Sequence, residues 1–93
     1  MRVESLTRLA RELHRASLLA GLPDPATRQA IRERAGVSQR ALGAAIGCTQ
    51  STISKWEDGT QLPRGDTLTA YVIALQALAR AVEDGRLGET VLP

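Results

Sequence analysis

The segment Gln39-Arg40-Ala41-Leu42-Gly43-Ala44-Ala45-Ile46-Gly47-Cys48-Thr49-Gln50-Ser51-Thr52-Ile53-Ser54-Lys55-Trp56-Glu57 decides the fold. Leu42 and Ile46 stand one helical turn apart, and Ile53 and Trp56 repeat that apolar spacing beyond Gly47. Two short helices joined through so few residues must cross steeply. Gly47 suits the bend because a residue without Cβ accepts positive φ. Leu42, Ile46, Cys48, Ile53 and Trp56 are expected to point inward together. Gly43 falls where the two backbones approach most closely. The outward face of the second helix keeps Gln50, Ser51, Ser54 and Lys55, which are short hydroxyls, one amide and one cation. Such side chains suit base edges: Gln pairs with adenine in the major groove, Ser with several bases, and Lys with guanine or phosphate. Any one of these polar residues alone is more often simply solvated, so the pattern carries the argument.

Outward from this segment, punctuation predicts five helices. The first spans about Val3 to Ala20, with Val3, Leu6, Leu9, Leu13, Ala16 and Leu19/Ala20 on one apolar stripe. Gly21 ends it. Asp24 followed by Pro25 predicts an N-cap and a proline at the first helical position, opening a second helix to about Ala35. Ser38 caps the third, Gln39 to about Ile46, and Thr49 caps the fourth, Gln50 to about Asp58. Asp66 is the expected cap of a fifth helix reaching about Asp84, with Leu68, Tyr71, Val72, Leu75, Leu78 and Val82 at helical spacing. Residues 1–22 form an additional amphipathic helix, 23–84 the main domain and 85–93 a loosely ordered tail.

Composition agrees with an all-α chain. Of 93 residues, 43% are hydrophobic and 14 are alanine, phenylalanine is absent, and Trp and Tyr occur once each. Close-packed helices tolerate this better than a β-sandwich, which draws on β-branched and aromatic residues. No run of 18 apolar residues exists to cross a membrane, and Met1-Arg2-Val3-Glu4-Ser5 lacks the apolar stretch of a signal peptide. One cysteine, Cys48, forms no internal disulfide, which fits a reducing cytoplasm. One His and one Cys make no metal site of the common kind, and no nucleophile–base pair or phosphate loop is present. No cofactor and no catalysis are expected. His14 is expected at the surface and Cys48 in the small core.

Charge is uneven. Residues 1–64 carry ten Arg or Lys against six Asp or Glu, and residues 65–93 carry two against four, for a net +2. A basic front suits a polyanion. Eleven of the twelve cations are Arg, whose fork matches phosphate.

Arg32 through Pro63 resembles the phage Cro/CI-type helix-turn-helix family, also called xenobiotic-response-element type. Gly36-Val37-Ser38-Gln39, the Ile46-Gly47 turn, Thr49 through Glu57 and the later Gly59 and Pro63 all fall in register. The resemblance covers roughly residues 26–80. It implies a compact domain of phage-repressor helix-turn-helix type; with the additional N-terminal helix read from periodicity, the expected fold is an all-α, five-helix domain. It also implies a double-stranded operator as partner, bound as a homodimer. Gln50, Ser51 and Lys55 would face bases, while Gln39, Arg40, Thr49, Thr52, Ser54 and Arg64 would hold the DNA backbone. Arg32 and Glu57 occupy the positions of a family salt bridge. Gly43 replaces the usual alanine, at a cost of about 1 kcal/mol in helix propensity. Asp58 places a carboxylate, which would repel DNA, where many members carry a basic or amide residue near the phosphate.

The first helix lies outside the resemblance. Its leucines are expected to pack on the domain, to build a dimer interface, or to present Arg8, Arg11 and Arg15 to phosphates. A second reading of the whole chain is a protein-binding module, such as an antitoxin, that engages a partner through the first or last helix and also binds its own operator.

Overall fold

A computed structural model describes residues 2–85, and all regular structure among them is α-helical. The elements are α1 (Val3–Gly21), α2 (Pro25–Arg34), α3 (Gln39–Ile46), α4 (Gln50–Glu57) and α5 (Gly65–Glu83). The tail expected over residues 85–93 lies, from residue 86 onward, outside the described residues.

The starts of α3 and α4 follow from their caps. Ser38 Oγ accepts the Ala41 N–H at 3.0 Å, and Thr49 Oγ1 accepts the Thr52 N–H at 3.1 Å. Each satisfies one of the donors that the first helical turn leaves free. Pro25 opens α2 as its first residue. Asp24 stands at that N-cap position, but its carboxylate takes the Thr27 hydroxyl and caps no backbone N–H. Asp66 differs from expectation as well. α5 begins at Gly65 with Arg64 at the cap position, so Asp66 falls inside the first turn. There its charge still meets the positive end of the helix.

Between α3 and α4 the chain reverses through Gly47, at φ 96°. The Gly43 carbonyl accepts both the Gly47 and the Cys48 N–H, each at 2.8 Å. A Cβ on Gly43 would stand 2.8 Å from the Cys48 carbonyl oxygen and 3.2 Å from Thr49 backbone atoms. The glycine is therefore a condition of the tight turn, and the propensity it forgoes is offset by the approach it permits.

α3 and α4 pack on each other, and α2 and α5 close around them. Leu42, Ile53, Trp56, Tyr71 and Leu75 form the core. Ile46 and Cys48, expected to be fully inward, are half-buried at its edge. The Trp56 and Tyr71 rings meet at 4.6 Å between centroids with a 41° tilt, a favoured aromatic geometry.

α1 corrects one expectation. Its N-terminal apolar residues do not pack on the domain: Val3, Leu6, Leu9 and Leu13 are all exposed, no α1 residue is fully buried, and Leu18 and Leu19 are half-buried. The helix meets α5, and an open cleft between the two is lined by Arg11, His14, Arg15 and Leu18 on one side and Gly65, Asp66, Leu68 and Thr69 on the other. The inward face of α5 is already taken by the core. The molecule is accordingly elongated, 60 × 27 × 21 Å.

Candidate nucleic-acid interface

α4 has two unlike faces. Ile53, Trp56 and Glu57 are buried, while Gln50, Ser51 and Lys55 are exposed and Thr52 and Ser54 half-buried. Gln50 is its first residue, so the free N–H groups and positive end of the helix lie beside the exposed amide and hydroxyls. Arg40 on α3 and Arg64 before α5 are also exposed. The Thr49 and Thr52 hydroxyls share a hydrogen bond at 3.0 Å. Each hydroxyl carries one donor and two acceptor positions, so the cap leaves further bonding capacity outward.

A buried polar assembly fixes this face from behind. Arg32 grips Glu57 with both ends of its fork: Nε to Oε2 at 2.5 Å and the terminal Nη2 to Oε1 at 2.9 Å. Its other terminal nitrogen donates to the Val37 carbonyl at 2.9 Å, just before α3. Gln39 Nε2 donates to Glu57 Oε1 at 3.0 Å. One carboxylate at the end of α4 thus ties together α2, the α2–α3 turn and the start of α3. The pairing with Glu57 raises the already high Arg32 pKa further. Gln39 is thereby held in a bracing position, with its amide oxygen still unspent in that bond.

Arg28 has no place among the residues singled out from sequence, yet it is only 3% exposed. Its guanidinium donates to the Trp56 carbonyl at 2.6 Å and the Pro23 carbonyl at 2.5 Å, and lies 6.0 Å from the Tyr71 ring centroid. It docks α2 onto the C-terminal end of α4. The available signal was its spacing of four from Arg32, which puts both on one face of α2.

Asp58 caps the C-terminal end of α4. Its Oδ1 accepts the Thr60 N–H at 2.9 Å and the Thr60 hydroxyl at 2.6 Å. These bonds hold its carboxyl below the usual range. The negative charge shapes the turn after α4, about 12 Å along the axis from Gln50 at 1.5 Å per residue. His14 is exposed, and burial pushes the Cys48 thiol up, away from thiolate reactivity.

A helix-turn-helix domain profile matches residues 29–84. The chain belongs to the helix-turn-helix domain family. This family is related to domains of xenobiotic-response-element and Cro type, and the match runs from within α2 through α5 and includes the α3–α4 pair. No curated protein and no solved structure matches the chain. A helix-turn-helix domain is a DNA-binding unit, and the α3–α4 pair lies inside the matched segment. Among the described residues, no helix is long and apolar enough to cross a membrane.

Proposed function

We propose that the chain is a sequence-specific, double-stranded DNA-binding transcription regulator of repressor type, in the manner of phage Cro and CI proteins. Residues 23–84 act as the DNA-binding unit. The observation that carries this is the α4 surface. An exposed row of Gln50, Ser51 and Lys55 opens at the helix N-terminus, and the Arg32–Glu57–Gln39 assembly holds that helix from behind. α4 enters the major groove from Gln50. Gln50 and Ser51 meet base edges at the groove floor, and Lys55 reaches guanine or phosphate one turn later. Gln39, Arg40, Thr49, Thr52, Ser54 and Arg64 take phosphate or sugar contacts, which set the register without reading sequence. Two copies address half-sites one DNA turn apart, about 34–36 Å, because a single α4 spans only a few base pairs. Occupying the operator excludes polymerase, and neither catalysis nor a cofactor enters the mechanism.

Selection from a random duplex pool at near-physiological salt tests this reading. The expected result is an enriched inverted repeat with centres about 10 base pairs apart. The double variant Gln50→Ala, Ser51→Ala should keep its helicity and non-specific affinity while losing discrimination between operator and random duplex. Unchanged discrimination in that variant would remove α4 as the reading element.

A further inference from the structure

We propose that the outer face of α1 is a self-association surface, and that its occupant is α1 of a second copy of this chain. Leu6, Leu9, Leu13, Ala16 and Ala20 recur at alternating steps of three and four, the spacing of a two-helix seam. All five are exposed, with Leu6 48%, Leu9 52% and Leu13 62% accessible. The open cleft between α1 and α5 is lined on the α1 side by Arg11, Arg15 and Leu18, which project roughly half a turn of the helix, about 180°, away from the leucines. The leucine stripe therefore faces away from α5.

Three features favour a copy of the same helix. First, the stripe is complementary to itself in size. In an antiparallel pair, Leu9 of one copy meets Leu13 of the other, while Leu6 meets Ala16, so large and small side chains interdigitate along a short seam. Second, charge does not oppose it. Arg8, Arg11 and Arg15 lie toward the α5 side; Glu12 borders the stripe and Arg2 stands at its N-cap end, and an antiparallel pair holds the two Arg2 side chains at opposite ends. Third, the area suffices for a modest dimer. Val3 at 74%, Leu6 at 48%, Leu9 at 52% and Leu13 at 62% accessible leave four large apolar side chains per copy for a partner to cover, which places a pair at the small end of specific interfaces, roughly 1,000 Å². Such an interface gives a weak dimer in solution, with a Kd of order 10–100 µM, that DNA with two half-sites reinforces. α1 packs on α5 alone among contacts of any extent, so pairing through it leaves the exposed face of α4 open. The role given to this dimer rests on the operator-binding reading; the contact itself does not.

Sedimentation velocity on the full chain from about 1 µM to about 1 mM tests the contact, with the double variant Leu9→Glu, Leu13→Glu beside it. The expected outcome is a concentration-dependent dimer for the wild type and a monomer for the variant. Trp56 fluorescence and melting temperature, which report the core, should be unchanged. Affinity for a single half-site should also hold, while affinity for the two-site operator drops at least tenfold. A wild type that stays monomeric both in solution and on two half-sites overturns the proposal, as does a variant that associates like the wild type. A monomer that sediments with anionic lipid vesicles also overturns it, assigning the face to a membrane surface. Dimerisation lost in the variant with no DNA binding by either protein leaves the interface standing and removes the operator reading instead.

Discussion

Arg28 and Arg32 sit four residues apart on α2, both buried, and do different work. Arg32 neutralises a buried carboxylate; Arg28 satisfies two carbonyls. Removing Arg32 strands Glu57 with only Gln39 for company, so Arg32→Ala should destabilise by about 3–5 kcal/mol. Arg28→Ala leaves neutral acceptors instead, and should cost about 1–3 kcal/mol. Urea denaturation followed by Trp56 fluorescence ranks the two, and an equal or reversed order would contradict this division of roles. Tyr71 offers a pH test at the same scale. Burial pushes its phenol pKa up. The unfolded chain then loses the proton first as pH rises past about 10, so stability is full below that pH and falls above it. With a single tyrosine in the chain, Tyr71→Phe should flatten the alkaline loss in urea midpoints between about pH 9 and 11. Of these residues, Arg32 and Glu57 were legible through their family register. Arg28 was not, because an arginine on a helix reads as solvated until the neighbouring carbonyls are known.

The α3–α4 pair shows how much of an element is written locally. Ser38 and Thr49 precede their helices as hydroxyl caps, and both cap. Gly47 marks the turn, and Leu42, Ile53 and Trp56 mark the buried side. Those signals act within a few residues, so the sequence carries them. Asp66 carried the same kind of signal and did not cap, because the backbone of Gly65 had already entered α5. Gly43 is the opposite case, a residue whose apparent cost in helix propensity is outweighed by a contact with the next element. Gly43→Val should therefore destabilise by about 1–3 kcal/mol, since the added carbons meet the Cys48 and Thr49 backbone, which cannot rotate away. Chemical denaturation measures the loss. A stability equal to that of the wild type would show that α3 and α4 can part without penalty. Operator affinity should fall with it, because moving α3 off α4 disturbs the anchorage of Gln39.

At the scale of the whole molecule, the direction of α1 was the least legible feature. Periodicity predicts that an amphipathic helix has a face to cover, and says nothing of what covers it. The core of α2 to α5 is closed without those leucines, so α1 stands beside α5 with its apolar side outward. That placement also bears on charge. Arg40, Lys55 and Arg64 are the exposed cations in the proposed DNA-facing set. If those three alone meet phosphate, two copies neutralise six, and log K against log salt should fall with a slope of about −5. Arg8, Arg11 and Arg15 would add six more if α1 lay along the duplex, bringing the slope to about −11. Titrating operator binding from about 50 to 300 mM salt separates the two arrangements. The shallow slope is expected, because α1 packs on α5 and not on α3 or α4 to any extent. Arg64→Gln should then reduce the slope by about 2 for the dimer, one phosphate per copy, and weaken all duplexes alike. A loss confined to the operator would instead make Arg64 a reader of sequence.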